Sequence, residues 1–351
     1  MNLDLQLISK LIWNLSLRLS LLLLLIQCQP PEPSTISNLS ANPQPVTPEP
    51  QYTLSSDQTH NKFSSTIEPV LRVATGAIIE AYTEEASDRQ LTPGSNEEDL
   101  MNISFDPIHP LTGPVYVEGA QPGDILAVTL HEIEIGEWGW NAIFPGFGYL
   151  VDEFENPKLK TFSFNPGDES IEFTSGVTIP LRPFPGVMGV APATDSLLST
   201  IPPRANGGNM DNPYLTTGTT VYFPVFVDGG LFSIGDTHAA QGLGEVCGTA
   251  IEAPMRIVYE IELITGRSIP EPQYETDTYY AVTAYGTSLD VAAKKATKYM
   301  IEHLVQEKGL SREDAYMVCS LAGDLHIAEV VDVPHVLVAM HIPKQIFNRL
   351  H

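Results

Sequence analysis

The sequence is poor in cysteine and in basic residues, and both shortages narrow the classes of protein it can encode. Three cysteines in 351 residues are too few for a disulfide-rich scaffold, and we expect Cys247 and Cys319 to be free thiols. Lysine and arginine number 18 against 43 aspartate and glutamate, which gives a formal net charge of −25 at pH 7. Such a charge argues against nucleic-acid partners and against electrostatic binding to anionic membrane surfaces.

Several sequence motifs that are typical of particular enzyme classes are also absent. The sequence has no internal repeat, no P-loop, no Gly-x-Gly-x-x-Gly dinucleotide fingerprint and no Gly-x-Ser-x-Gly nucleophile elbow. The chemistry must therefore come from another arrangement of polar side chains.

Long apolar runs are scarce, and the clearest one lies near the N-terminus. Lys10 and Arg18 precede the run from Leu19 to Ile26, which is too short for an ordinary membrane-spanning helix but has the length of a secretory signal. The run leads into Cys28, in a sequence similar to a bacterial lipoprotein cleavage site. We expect residues 1–28 to be a signal peptide or lipoprotein signal, with an uncleaved anchor as the alternative. Each predicts export to the cell envelope or periplasm, with membrane attachment where a lipid or anchor remains.

The rest of the chain divides by composition. Residues 29–56 are rich in Pro, Ser and Thr and predict a disordered tether. Residues 57–270 contain short apolar segments broken by Gly and Pro, which indicates a β-rich catalytic body. Residues 271–351 predict an α+β subdomain that completes the fold, with helices beginning at capping boxes near Thr287 and Ser311. The predicted fold class is mainly β with an α+β C-terminal subdomain.

The most informative stretch is acidic and glycine-rich, from residue 228 to residue 252. Two strands joined by the turn at 228–230 would place Asp236 and His238 on one face, because side chains alternate along a strand. A third strand starting at Glu245 would put Cys247 opposite His238 and complete a polar patch suited to a metal ion such as zinc. The alternatives are a capped turn with a surface histidine, and for Cys247 either a nucleophile or inert packing.

Further candidate site residues are spread over other segments. Glu118 follows a short apolar strand, and His60 precedes another. Gly186 and Met188 lie in a Gly- and Pro-rich segment that fits close approach of the backbone to a ligand. A glycine loop carries more candidate polar groups, namely Asn206, Asn209 and Asp211. A cluster of aromatic residues could wall an apolar pocket or form a small core under a loop: Trp138, Trp140, Phe144, Phe147 and Tyr149.

Taken together and in order, these segments resemble the acetamidase/formamidase family. The segments that carry the resemblance are Thr59-His-Asn-Lys62, Thr112-Gly-Pro-Val-Tyr-Val-Glu-Gly-Ala120, Phe184-Pro-Gly-Val-Met-Gly189, Ala205-Asn-Gly-Gly-Asn-Met-Asp211, the stretch from Gly235 to Glu252, and Cys319-Ser-Leu-Ala-Gly-Asp-Leu325. The resemblance implies hydrolysis of short-chain amides to a carboxylate and ammonia, on a β-sandwich or barrel-like architecture with a metal at the site. It also implies a dimer or larger assembly. One departure is Leu243, where many members of the family have Asp.

The resemblance suggests roles for these candidates. Asp236 and His238, with help from His60, Asn209 or Asp211, would hold a divalent metal, zinc in the first instance and calcium as the alternative. The general base would be Glu118 or Glu245. The substrate would be bound by Asn206, Gly186 and Met188.

Two other functions remain open from the sequence. One is an exported amidohydrolase that acts on a larger amide through the same site. The other is a surface-tethered β protein that binds a ligand or calcium without catalysis.

Overall fold

Most of the regular structure is β-strand. The computed structural model describes residues 47–347. In chain order the strands of this part are β1 (Tyr52–Leu54), β2 (Thr59–His60), β3 (Lys62–Phe63), β4 (Leu71–Val73), β5 (Ala77–Thr83), β6 (Leu111–Val117), β7 (Ile125–Ile135), β8 (Trp138–Ile143), β9 (Lys158–Ser163), β10 (Ser170–Thr174), β11 (Val177–Pro180), β12 (Phe184–Gly189), β13 (Leu198–Ser199), β14 (Gly207–Asn209), β15 (Thr220–Pro224), β16 (Phe232–His238), β17 (Met255–Ile264), β18 (Gln273–Glu275), β19 (Tyr279–Gly286), β20 (Asp324–Glu329) and β21 (Val336–Pro343). The helices are α1 (Glu97–Met101), α2 (Leu289–Lys308) and α3 (Arg312–Ala322), followed by a 3₁₀ turn at Lys344–Ile346.

The larger sheet has nine strands in the order β1-β5-β17-β7-β15-β18-β19-β21-β20. The pairing of β1 with β5 is parallel, and the other neighbours are antiparallel. Strands from both the predicted catalytic body and the predicted C-terminal subdomain contribute to it, so one sheet continues across residue 270.

The second sheet has six strands. Five of them follow the order β14-β12-β16-β6-β2, and β4 pairs with β6. Its inner face packs on the nine-stranded sheet. Phe232 of β16 lies 5.5 Å from Phe223 of β15 and 5.6 Å from Tyr259 of β17, measured between ring centroids. Apolar residues from both sheets form one continuous core, which is the arrangement of a β-sandwich.

The two longer helices pack on the part of the nine-stranded sheet that the last strands of the chain form. Helix α2 begins where the Ser288 side chain accepts a hydrogen bond from the Val291 amide, and it ends at Gly309 in a left-handed conformation. Helix α3 begins at Ser311, whose hydroxyl accepts from the Asp314 amide. Helix α2 packs against β19 and β21, and α3 packs against α2 and β21, so that the helices and strands share a second core.

The predicted mainly β fold with C-terminal helices is confirmed, and both large sheets are open rather than closed into a barrel. The predicted hairpin between β15 and β16 is wrong, because β15 pairs within the nine-stranded sheet and β16 pairs with β12 and β6. The third strand predicted from Glu245 is also wrong, since the chain there forms a turn closed by the Gly248 amide and the Glu245 carbonyl.

The predicted tether extends too far at its C-terminal end. Residues 52–54 form β1, and Leu54 is buried in the core. The predicted signal segment, with Cys28, and most of the predicted tether lie outside the described residues. In residues 47–347, no helix has both the length and the apolar character needed to cross a membrane.

Candidate active site

The site forms at the C-terminal end of β16, which pairs with β12. This end of the strand carries Asp236 and His238. His238 pairs with Phe184 of β12, and their rings meet edge to face at a centroid distance of 5.1 Å. On its other side, the backbone of His238 forms a bridge to Glu252. The residue opposite His238 is therefore Glu252 rather than the predicted Cys247.

His238 is surrounded by carboxylates. Its Nε2 lies 3.0 Å from Glu252 Oε2 and 3.6 Å from Asp236 Oδ2, and its Nδ1 lies 3.6 Å from Asp211 Oδ1. Burial opposes a charge on this imidazole, but the carboxylates of Glu252 and Asp236 outweigh it and raise its pKa well above the ordinary value. The imidazole is thus held where a positive charge is strongly favoured.

Gln241 fixes the tautomer of His238. The Gln241 side-chain amide donates from Nε2 to the backbone carbonyl of Asp211 at 2.7 Å, so its Oε1 is the atom that faces His238 Nδ1 at 2.8 Å. Because Oε1 only accepts, Nδ1 must donate to it. In the neutral imidazole Nε2 then carries a lone pair and faces two carboxylates, which are also acceptors. The positive charge that these carboxylates require is supplied by a proton on Nε2 or, in place of that proton, by a metal ion.

Additional buried carboxylates extend the cluster. Burial raises the pKa of Asp211 to about 6, and burial together with Asp211 raises that of Glu245 well above its usual value. Burial, helped by Asp211 and Glu329, does the same for Asp332, which reaches the site from the loop between β20 and β21. So many acidic groups cannot all be charged together without a compensating cation.

The donor set fits a divalent metal. Within the described residues, several buried oxygens of the cluster have no hydrogen-bond donor: Asp211 Oδ1 and Oδ2, Asp236 Oδ1 and Glu252 Oε2. Two groups of residues could each hold an ion, one formed by Asp211, His238 and Glu245 and the other by Asp236, His238 and Glu252. Carboxylate oxygens with one imidazole nitrogen are ligands that zinc accepts.

The backbone is strained at the same place. His109, Asp211, Asp236 and Glu245 all have positive φ, between 39° and 54°. Left-handed backbone costs a non-glycine residue roughly 1–2 kcal/mol, and such residues collect at functional sites. Here all four side chains line the same cavity.

Gly186 of β12 makes room for the cluster. A Cβ atom at this position would lie 2.5 Å from Asp211 Oδ1 and 2.6 Å from His238 Cε1. Its carbonyl accepts from the amides of Met210 and Asp211, which brings Asp211 to the site. Only glycine fits beneath Asp211 and His238, but Gly186 does not line the cavity, so the substrate-binding role predicted for it stays a prediction.

The cluster forms the floor of a cavity of about 450 Å³ with apolar walls. The segment around α1 provides Leu100, Met101 and Phe105, and the loop after β8 provides Phe144 and Phe147. Of the predicted aromatic wall, Trp140, Phe144 and Phe147 line the cavity, whereas Trp138 and Tyr149 do not.

Among the predicted site residues, the structure brings Asn209, Asp211, Asp236, His238 and Glu245 together around the cavity. Asn209 does so through a hydrogen bond from its Nδ2 to Asp332 Oδ2 at 2.7 Å. These residues come from separate elements, and the fold makes them neighbours.

Other predicted site residues lie elsewhere. Glu118 is exposed at the far end of β6, roughly 20 Å along the strand from the end that adjoins the site. Both ring nitrogens of His60 have partners outside the cluster, since Nδ1 contacts the Lys62 carbonyl and Nε2 the Ser233 hydroxyl, each at 2.7 Å. A metal-ligating role for His60 and a catalytic role for Glu118 are therefore not supported.

Two predicted substrate-binding residues do not line the cavity. Asn206 donates from Nδ2 to the Val190 carbonyl at 2.7 Å, and Met188 is fully buried in the main core. Leu243 is partly exposed and does not line the cavity, so the departure from the family pattern at this position leaves the cluster intact.

Three further residues line the cavity and were not predicted from the sequence: His109, Asp332 and Glu252. His109 Nε2 lies 3.9 Å from Asp236 Oδ1, and its buried Nδ1 has no partner within the described residues. Glu252 lies in the acidic stretch from residue 228 to residue 252, but the strand predicted from Glu245 placed Cys247 opposite His238. For His109, the signal was its position between prolines just before β6; nothing local marked Asp332.

Two packed sheets with acid–base side chains at the floor of an apolar cavity are the arrangement of a β-sandwich enzyme. The model of the acetamidase/formamidase family matches residues 46–199 and 194–349, and the chain belongs to this family. It is an amidase, a hydrolase of carbon–nitrogen bonds.

Individual relatives agree with this assignment. The crystal structure of an acetamidase from Bacillus halodurans is 33% identical, covers 85% of this chain and 99% of that one, and superposes with a TM-score of 0.80. A formamidase of Methylophilus methylotrophus is 26% identical over 83% of this chain and 90% of its own length. An acetamidase of Mycolicibacterium smegmatis is 29% identical over 59% of this chain and 66% of its own length.

Proposed function

We propose that the protein hydrolyses short-chain linear amides, such as formamide and acetamide, in a metal-dependent reaction at the cluster around His238. The observation that carries the proposal is the set of buried carboxylate oxygens without donors around Nε2 of His238, where a metal ion would take the place of the proton. The names of the relatives, which include a formamidase and acetamidases, support the choice of substrates.

The metal would be held by Asp236, His238 and Glu252, with Asp211 beside them. A divalent ion there would supply a Lewis acid that polarises the amide carbonyl and activates water. The imidazole ligand favours zinc over calcium, which prefers oxygen ligands alone.

The side chains of the cluster would move the proton. Glu245 lies in the wall of the cavity next to Asp211 and His238, so its carboxylate can take a proton from the attacking water and pass it to the amide nitrogen. The apolar walls, with Trp140 and Phe144, exclude bulk water and strengthen these polar interactions. The products are a carboxylate and ammonia.

The test is ammonia release from formamide and acetamide by the full chain, before and after chelation and zinc add-back. We expect release that falls with the chelator and returns with zinc. His238→Ala should abolish turnover while the far-ultraviolet circular dichroism spectrum is kept. Undiminished turnover after complete removal of metal would overturn metal dependence, and no release from a folded, zinc-loaded sample would overturn the short amides as substrates.

We also propose that the protein is exported and acts in the cell envelope or periplasm, with Cys28 as a lipid attachment point. The apolar run from Leu19 to Ile26 after Lys10 and Arg18 supports this. Fractionation should find the wild type with membranes and Cys28→Ser in the soluble envelope fraction. Retention of both in the cytoplasm would contradict export.

A further inference from the structure

We propose that the site prefers primary amides with an apolar acyl group larger than methyl, in the range of about four to seven carbons. This inference rests on the amide hydrolysis proposed above and specifies its substrate class.

The first support is the size of the cavity. Its volume of about 450 Å³ lies within the range of roughly 300–1,000 Å³ that holds drug-sized ligands. Acetamide has four non-hydrogen atoms and would leave most of such a space to water. A pocket adapted to acetamide alone would need only a fraction of this volume.

The second support is the division of the cavity into a polar floor and an apolar wall. The floor holds the carboxylates around His238, and the wall holds side chains from three separate segments, among them Ile103, Phe147 and Ile201. A polar floor suits the polar amide group of the substrate, which must lie where water and the catalytic groups can reach it. The acyl group then points at the wall.

The third support is the rim of the cavity. Met101, Phe105 and Val333 line it and are 53%, 55% and 74% exposed. Large apolar side chains that lie together at the mouth of a pocket mark a surface that a ligand covers. An acyl chain of several carbons offers apolar surface for such residues to cover, which the methyl group of acetamide has little of.

The reaction needs no further co-reactant. Water adds its oxygen to the acyl carbon, the carbon–nitrogen bond breaks, and one proton of the water goes to the leaving nitrogen. The new carboxylic acid releases the other proton, which converts ammonia to ammonium. An aliphatic carboxylate and ammonium are the products.

The test compares kcat/KM for formamide, acetamide, butanamide and hexanamide on the zinc-loaded full chain. We expect a rise of about fourfold for each added methylene until the cavity is filled. N-butylacetamide, an isomer of hexanamide, separates the two sides of the amide bond, and we expect it to react far more slowly. Faster turnover of N-butylacetamide, or values that stay level or fall along the acyl series, would overturn the inference.

A variant pair links the effect to the rim. Phe105→Ser should lower the ratio of kcat/KM for hexanamide to that for acetamide by about tenfold, since it removes apolar contact surface. Leu321→Ser changes an equally apolar residue that is 83% exposed on α3, outside the cavity, and should leave the ratio unchanged. Equal ratios in Phe105→Ser and wild type would contradict the inference.

The outcomes separate this inference from the proposed function. Turnover of acetamide with none of hexanamide would overturn the inference and leave the proposed function standing. Absence of turnover with every amide would overturn the proposed function. In that case, calorimetry tests the inference separately from the proposed function. Binding of hexanamide at least tenfold more tightly than acetamide supports the inference, and equal binding overturns it.

Discussion

At the scale of single residues, the site depends on groups that orient His238 as much as on the groups that meet substrate. Gln241 fixes which imidazole nitrogen carries the proton, and it does so because its own amide is anchored on the Asp211 carbonyl. Gly186 keeps the space in which Asp211 and His238 can meet. Neither residue has a chemical role of its own in the proposed reaction.

Replacing Gln241 should weaken metal binding without unfolding the protein. In Gln241→Ala, Nδ1 of His238 loses its acceptor, so the tautomer with a bare Nε2 is no longer favoured. We expect the apparent dissociation constant for zinc to rise by about 10- to 100-fold. Competition with a zinc-sensitive dye measures it, and Gln121→Ala in an exposed turn is the control. Equal zinc affinity in Gln241→Ala and wild type would contradict the assigned tautomer.

Gly186→Ala should lower activity by at least 100-fold, because displacement of a catalytic group by about 1 Å costs roughly this factor. The added Cβ would lie within 2.6 Å of both Asp211 Oδ1 and His238 Cε1. We also expect about 1–3 kcal/mol lower stability from overpacking. Gly94→Ala is the control, since its Cβ would have nothing within 4 Å. Kinetics and urea unfolding of both variants test this prediction.

At the scale of elements, the sequence predicts those elements whose formation depends on neighbouring residues in the chain. The helices α2 and α3 follow from their caps and apolar periodicity, and both form where the sequence indicates them. The error at β15 and β16 has a different origin. A glycine turn between two apolar segments has the pattern of a hairpin, but here it carries the chain from one sheet of the sandwich to the other. Partner choice between sheets depends on distant strands.

The candidate site illustrates the same limit. Asp236 and His238 were predictable because they are neighbours in one strand. Asp332 comes from a loop far along the chain, and His109 is brought in by the pairing of β6 with β16. Such neighbours exist only after the sheets have packed, so the sequence predicted the centre of the site and missed its periphery.

The start of α2 provides a stability test at this scale. The sequence pattern placed the cap at Thr287, whereas the structure places it at Ser288. Ser288→Ala should lower the free energy of unfolding by about 1 kcal/mol, because the Val291 amide loses its acceptor. Thr287→Ala should change it by less than about 0.5 kcal/mol. Urea unfolding measures both, and the reverse order would show that Thr287 is the cap.

At the scale of the whole molecule, the fold buries titratable groups of opposite behaviour. Burial lowers the pKa of His341 to about 3 and that of His303 to about 4. These histidines are neutral in the folded protein and take up protons only when it unfolds. The acidic cluster around His238 titrates in the other direction, because burial raises the pKa of Glu245 and Asp332. The net pH dependence of stability is the difference between the two sets.

His341→Gln isolates one side of that balance. His341 is buried against Tyr279 and pairs with the Tyr274 hydroxyl. Its folded pKa lies below its unfolded value, so its contribution is complete above pH 6.5 and is lost as the pH falls toward 3. Below pH 6.5 the free energy of unfolding of the wild type should fall by up to about 1.4 kcal/mol per pH unit more steeply than that of the variant. Parallel profiles from urea unfolding at pH 7.5 to 5 would contradict this.

The left-handed backbone at the site affects how its residues can be studied by mutation. An alanine scan of Asp211, Asp236 and Glu245 would remove a carboxylate and also force alanine into a conformation it tolerates poorly, so one measurement would combine two losses. Asparagine accepts left-handed backbone nearly as well as aspartate, and Asp211→Asn or Asp236→Asn changes the charge alone. Glu245→Gln likewise changes only the charge, since glutamine and glutamate tolerate this conformation equally poorly. At this position only Glu245→Gly removes the side chain without adding strain.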